Sequence, residues 1–358
     1  MLISYVNFLF AGLMSVSILF SAVANATDSF NILMYHHVSS ETPRSTSLTK
    51  QEFHDHLKFL QHNNYHVLPL RQALDAVQQG HALPDQTVVI TFDDAMISIY
   101  NNAFPLLKQF KYPFTVFVNT DPVDQGRKYA MNWDMLRELT RHRGSLGNHS
   151  KDHGYLVRKP SYNKKWLTTT LANIDYAQQR LETETGPQPK WLAYPFGEYN
   201  LALQQALKKR GYIAFGQQSG GVGPHSDWQA LPRFSVTGNY ATLESLAVKL
   251  ASKPLPVHYN QLGDPVLRPD QQQDNPPLLR VNLAQPLHDT SRKRLNCFIM
   301  GQAYLPQWQD ELHFIVQPNR PLPAGRTRYN CTAPIWGQGN YFWFSHQWLN
   351  YQPKPSAN

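Results

Sequence analysis

Apolar positions along the first 250 residues fall into two alternating rhythms. Asn31–Val38 (NILMYHHV), Thr87–Phe92 (TVVITF) and Pro113–Asn119 (PFTVFVN) are short continuous runs, with Tyr65–Leu70, Ser145–His149, Trp191–Pro195 and Tyr212–Gly216 as shorter companions. Such runs predict strands buried on both faces, as in a parallel sheet. Between them lie stretches of helical spacing. Lys50–Gln61 carries Phe53, Leu57 and Leu60 on one face, and Ile97–Phe110 closes at a Lys-Tyr-Pro turn. Asn132 is placed to cap a helix through Arg141, Tyr162–Glu184 aligns Leu171, Ile174 and Leu181, and Leu201–Arg210 completes the set. Strands alternating with helices over this length predict an α/β architecture around a parallel sheet.

From about Ser252 the texture changes. Pro254, Pro256, Pro265, Pro269, Pro276 and Pro277, with Gln271–Gln273, predict an extended, linker-like passage in which Leu278–Leu283 alternates as a strand. Ser291–Tyr351 has aromatics and turns without helical periodicity, which predicts a small β unit. Its late run Asn340–Trp348 (NYFWFSHQW) reads as core, because so small a unit needs large strand-forming side chains. The alternative is an exposed patch that stacks on sugar rings. The expected division is 1–26, 27–251, 252–290 and 291–358.

The first of these segments, Met1–Ala26, contains no charged residue and ends its apolar run in Ala24-Asn25-Ala26. That pattern predicts an export signal cleaved after Ala26. An uncleaved anchor is the alternative, since the segment lacks the usual Lys or Arg. Export, to the periplasm or outside the cell, sets an oxidising context for Cys297 and Cys331, the only two cysteines. They are expected to pair as a disulfide. The net charge of +8 is spread thinly apart from Arg292-Lys293-Arg294, so nucleic acid is not an expected partner. No heptad or repeat signals an oligomer, and a monomer is expected.

Candidate chemistry begins where Thr87–Phe92 runs into Asp93 and Asp94. Adjacent carboxylates at the end of a buried strand require a metal ion, a basic partner or a proton. The alternative is an ordinary Asp turn capping the next helix. His149 and His153 in Gly147–Tyr155 (GNHSKDHGY) stand i, i+4 and can converge on one ion. With 15 histidines in 358 residues such a pair is weak alone, but it gains weight from the acid pair and from Ala193–Asn200 (AYPFGEYN).

TFDD, HSKDH and YPFG in this order resemble the motifs of the polysaccharide deacetylases, the NodB-homology carbohydrate esterases, over about Phe30 to Val248. Met34-Tyr35-His36 and Ala193–Tyr199 are similar to the branch acting on poly-β-1,6-N-acetylglucosamine. The resemblance implies an irregular (β/α) barrel of the NodB-homology type, here followed by a small disulfide-bonded β domain. It also implies a metal-dependent N-deacetylase of a polysaccharide, with zinc as the expected metal and cobalt or nickel as alternatives. Peptidoglycan or chitooligosaccharides are alternative substrates, and a catalytically silent glycan-binding module is the rival from another class.

In the roles so implied, Asp94, His149 and His153 hold the metal, Asp93 is the general base and His36 the general acid. Tyr194, Pro195, Phe196 and Gly197 supply the substrate and oxyanion turn, through a backbone N–H near Tyr194. Two departures stand out. Ala95 replaces the Gly that usually follows the acid pair, and Ala193 replaces an Arg that orients the base, for which Arg233 in LPRF is the expected substitute. Adjacent strand side chains diverge, so the division of labour between Asp93 and Asp94 requires the chain to turn there.

Overall fold

A computed structural model of the chain describes residues 26–159 and 162–352. The expected export signal lies outside the described residues, apart from Ala26. Among the described residues no helix is long and apolar enough to cross a membrane.

The apolar runs form one eight-stranded parallel sheet. Its main strands are β1 (Asn31–Tyr35), β2 (Thr87–Phe92), β3 (Phe114–Val118), β4 (Gly144–Asn148), β5 (Trp191–Ala193), β6 (Ile213–Phe215) and β7 (Phe234–Ser235), in the spatial order β6-β5-β4-β3-β2-β1-β7. Every residue of β1, β2 and β3 is buried, because each strand is covered on both faces. Val88, Ile90 and Phe92 pack outward with Phe53, Leu57 and Leu60 of helix α1 (Lys50–His62). Val89 packs with Ile32, Phe117, Phe215 and Leu231. The alternation therefore sends Val89, Thr91 and Asp93 to the same side.

The sheet closes irregularly. Leu231 bridges Phe215 of β6, donating to Ala214 O at 2.8 Å and accepting from Gly216 N at 2.9 Å. A few residues later Phe234 and Ser235 pair with Leu33 and Met34 of β1. The stretch 231–235 thus spans the gap between the two edges, giving the expected (β/α) barrel. Four α-helices have no counterpart in the sequence reading, Leu70–Gln78, Leu243–Leu250 and the shorter Thr120–Asp124 and Asp289–Lys293. The first starts at Leu70, where a strand was expected to end; only His66–Val67 is extended there.

The C-terminal region is built on two long antiparallel strands, Gly325–Pro334 and Tyr341–Asn350, paired over their whole length. Cys297 and Cys331 lie directly opposite each other on neighbouring strands and form the expected disulfide. Residues 252–290 alternate short strands with the 3-10 turns Tyr259–Gln261 and Pro269–Asp274, and they do not behave as a free linker. Ser252–Pro254 and Val266–Leu267 run parallel to Tyr341–Asn350, and Leu279–Asn282 pairs with His313–Val316. Prolines at the edges of such strands cost few ladder bonds, which is how a Pro-rich passage becomes part of a packed unit.

Strand Tyr341–Asn350 is buried on both faces along most of its length. Phe344 and Trp348 enter the core of the β unit. Trp343 points the other way, its ring 5.3 Å from Phe234 and its Nε1 donating to Ser219 Oγ at 3.1 Å. The aromatic run therefore serves as core on one face and as docking surface against the barrel on the other.

Candidate active site

At the C-terminal end of β2 the ladder continues for one residue, Asp93 N–H donating to Tyr35 O at 2.9 Å. The chain then turns sharply, Asp94 at φ +73° and Ala95 at φ +50°. Two successive left-handed residues reverse the direction of the backbone and send the two carboxylates to different partners. Ala95 adopts a conformation in which a Cβ costs roughly 1–2 kcal/mol, and its carbonyl, which accepts from Met131 N–H at 2.9 Å, helps hold it there.

Asp93 is fully buried and is gripped by the equally buried Arg233. Arg233 Nη1 donates to Asp93 Oδ1 at 2.7 Å and Nη2 to Oδ2 at 2.8 Å, while Nε donates to Gly216 O at 3.0 Å. The side chain arrives from the closing stretch 231–235, just before β7, with its guanidinium 5.3 Å from the Phe117 ring. Burial by itself pushes the Asp93 carboxyl up. The charges of Arg233, His149 and His36, with the double hydrogen bond, outweigh burial and hold it below the ordinary range. Arg233 thus stands where the sequence reading put its substitute arginine.

Asp94 turns toward two imidazoles. His149 follows β4, its N–H donating to Val118 O at 2.9 Å. His153 lies on a tight loop in which Ser150 and His153 itself are left-handed, the Ser150 Oγ accepting from His153 N–H at 3.1 Å. Asp94 Oδ1 stands 3.2 Å from His149 Nε2 and 3.3 Å from His153 Nε2. All three ligand atoms lie within 4.8 Å of one another.

His149 Nδ1 stands 2.7 Å from Ala193 O, a contact that places a proton on Nδ1 and aims Nε2 at Asp94. Asp94 Oδ1 and His149 Nε2 are buried and have no hydrogen-bond partner. Two such orphans side by side cost about 1–3 kcal/mol each unless something joins them. A carboxylate and two imidazole nitrogens converging on one point are a donor set that fits a divalent cation. Burial, and next the His149 ring, push His153 down to about 4, which keeps its nitrogen free of a proton. Burial opposes the charge on Asp94, but the closeness and charge of His149, with His36 and His153 behind it, hold the carboxyl below its usual range.

Residues 80–215, which contain this whole Asp and His set, match the family model described as polysaccharide deacetylase. Over that stretch the chain is similar to the polysaccharide deacetylases. Among curated relatives, the Bacillus subtilis (strain 168) protein YxkH is 30% identical over 183 residues, 51% of this chain and 61% of its own length. The poly-β-1,6-N-acetyl-D-glucosamine N-deacetylase of Escherichia coli (strain K12) is 26% identical over 248 residues, 59% of this chain and 37% of its own. The chain thus spans less than two thirds of either relative. Among solved structures, IcaB from Ammonifex degensii superposes with a TM-score of 0.54 at 23% identity, over 62% of this chain and 97% of that one. That likeness concerns the fold, an irregular barrel of the same type.

The remaining candidate site residues sit around this centre. His36 follows β1 directly; its Nε2 is 3.9 Å from Asp93 Oδ2 and its side chain is 14% exposed. Its neighbour His37 lies 3.4 Å through Nδ1 from Ser98 Oγ, and burial pushes its pKa down. Tyr194–Gly197 forms a tight turn after β5 with Phe196 at φ +59° and Gly197 at φ +69°. Gly197 has to be glycine there, since a Cβ would stand 2.7 Å from Gln217 Cβ and 2.8 Å from its backbone nitrogen. The Tyr194 N–H is not open to an oxyanion: it donates to Phe215 O at 3.0 Å, and its hydroxyl donates to Gln229 O at 2.8 Å. Pro195 has no N–H, so the turn's next candidate donor is Phe196.

Several residues of the site were not singled out in the sequence reading. Glu198 is fully buried beside the turn and takes a forked pair from Arg158, at 2.9 and 2.5 Å. Arg326 and Gln347 reach the same turn from the C-terminal unit. Glu198 lies within the AYPFGEY motif and could have been flagged, but its partners are far away in sequence and carry no local signal.

Proposed function

We propose that this chain is a metal-dependent N-deacetylase of a polymer of N-acetylglucosamine, of the poly-β-1,6-linked kind. The observation that carries the reading is the pairing of two differently supported carboxylates. One, Asp94, converges with His149 and His153 on a point where buried donors lack partners. The other, Asp93, is kept ionised and rigid by Arg233 alongside that point.

In this reading Asp94, His149 and His153 hold the cation. When bound there, a divalent metal supplies Lewis-acid chemistry, making water more acidic and polarising an amide carbonyl. Asp93 accepts the proton of the attacking water, both its oxygens being held in place by the fork of Arg233. Addition of that water to the acetyl carbonyl places negative charge on the carbonyl oxygen, where an N–H of the Tyr194–Gly197 turn, that of Phe196, donates. The C–N bond breaks as His36 delivers a proton to the departing glucosamine nitrogen, leaving acetate and a free amine. Support for the β-1,6 substrate comes from Met34-Tyr35-His36, from Ala193–Tyr199 and from similarity to relatives named for that polymer. The uncharged Met1–Ala26 supports export.

The test is acetate release from β-1,6- and β-1,4-linked N-acetylglucosamine oligomers, with Zn²⁺ or Co²⁺, with chelator, and with Asp93→Asn. Release from the β-1,6 oligomer that disappears with chelator and in the Asn variant is the expected result. Release from β-1,4 oligomers alone overturns the substrate, and activity that survives chelation overturns the metal.

A further inference from the structure

The turn Tyr194–Gly197 has an uncommon conformation for which the barrel provides incomplete support. Phe196 and Gly197 are both left-handed, and Phe196 is not a residue that takes this conformation for local reasons. Inside the barrel the turn closes on itself, Gly197 N–H donating to Tyr194 O and Glu198 N–H to Pro195 O. Its two outward carbonyls are satisfied from the C-terminal unit. Arg326 Nη1 donates to Phe196 O, and Gln347 Nε2, on a side chain that is buried, donates to Gly197 O at 2.7 Å.

Arg326 makes two more contacts. Nη1 donates to Gln217 Oε1 at 3.2 Å, and Nε lies 3.5 Å from Oε1 of the buried Glu198. Gln217 is the residue against which Gly197 is packed. The turn in turn supports the centre: the Phe196 ring meets His153 edge-on at 4.5 Å and stacks on Tyr155 at 4.3 Å. A continuous path of hydrogen bonds and ring contacts therefore runs from strands Gly325–Pro334 and Tyr341–Asn350 to a ligand-set histidine.

We propose that the C-terminal β unit is a working part of the deacetylase centre, with Arg326 and Gln347 as positioning residues for the Phe196–Gly197 turn. Orientation of a peptide plane is set by what its carbonyl accepts from, so these two donors set the tilt of the turn. They also set the depth at which Phe196 presses on His153. This inference rests on the deacetylase reading. A misplacement of about 1 Å at such a position can cost on the order of 100-fold in rate.

The experiment uses the full chain with Arg326→Met, Arg326→Lys and Arg292→Ala. Glu198 keeps Arg158 in the first variant, so no buried charge is stranded and the protein is expected to fold. Arg292 lies in the same unit, against Trp308 and Asp310 O, and serves as control. The expected result for Arg326→Met is a 10- to 100-fold loss in kcat with KM within about threefold, partly recovered in Arg326→Lys and absent in Arg292→Ala. Hydrogen–deuterium exchange of a peptide covering residues 194–199 is expected to quicken about tenfold, with Zn²⁺ stoichiometry unchanged. A kcat within twofold of the parent overturns the inference, as does unchanged exchange in the turn. If the parent releases no acetate from any substrate, it is the deacetylase reading that fails, and exchange alone then decides whether Arg326 holds the turn.

Discussion

Replacing Arg233 by Met isolates the strongest electrostatic device in the barrel. The guanidinium and the Asp93 carboxylate are both fully buried and share two charge-assisted hydrogen bonds of 2.7 and 2.8 Å. Arg233→Met removes them and leaves a carboxylate in the interior without a hydrogen-bonded counter-ion, the His36 imidazole standing 3.9 Å away. Breaking a buried pair in this way costs about 3–5 kcal/mol. For a domain of this size that corresponds to a fall in Tm of roughly 6–20 °C. The cost comes from the stranded charge more than from lost packing, because Met fills much of the same volume. Adding Asp93→Asn to Arg233→Met should therefore recover about 1.5 kcal/mol or more, a coupling in the range expected for contacting groups. Urea unfolding of the parent, both single variants and the double variant closes the cycle. Zn²⁺ binding should survive in all four, since Asp94, His149 and His153 are untouched. A loss below about 1 kcal/mol for Arg233→Met, or a double variant no more stable than Arg233→Met, refutes the account.

Three further outcomes are expected. Gly197→Ala should destabilise by about 2–3 kcal/mol through strain at φ +69° and overlap with Gln217, whereas Gly126→Ala, at φ +61° with nothing within 4 Å, should cost only about 1 kcal/mol; urea midpoints compare the two. Reducing Cys297–Cys331, which closes a loop of sequence separation 34, should remove about 4 kcal/mol, read as a reductant-dependent shift that Cys297→Ser abolishes. Glu52 is held down to about 2, chiefly by its hydrogen bond to Arg44, and it also caps α1 through Thr49 N–H. A carboxyl depressed in the folded state stabilises above its unfolded pKa and loses that contribution as pH falls through the folded value. Glu52→Gln should thus be less stable than the parent by about 0.5–1 kcal/mol at pH 6, allowing for the solvent screening of Arg44, with the gap closing toward pH 2 in thermal melts.

Much of the barrel was legible because its strands have to be apolar on both faces. Thr87–Phe92 and Phe114–Val118 stand out for that reason, and the carboxylates at the end of the first mark where chemistry can sit. Helices with a strong apolar stripe, such as Lys50–His62, were legible within a residue or two. Leu70–Gln78 was missed because its first residue completes an apolar run that reads equally well as a strand. The passage 252–290 reads as a connection since its proline content hides strands of two to four residues, each stabilised by a distant partner rather than by its own pattern.

For the site, the chain by itself determined the donors: which carboxylates, which imidazoles, and the glycine that the turn requires. These are chemical identities, and identity is local. The tertiary structure decided the geometry that gives them different partners. The left-handed pair Asp94 and Ala95 separates two adjacent acids, and Ala193 O orients the ring of His149. Arg233 arrives at Asp93 from 140 residues away because the stretch 231–235 closes the barrel there. Arg326 and Gln347 reach the Phe196–Gly197 turn only because the β unit docks with strand Tyr341–Asn350 sandwiched between its own core and the barrel. Contacts between residues so far apart in sequence depend on which surfaces bury each other, and burial is settled by the whole fold rather than by any stretch of it.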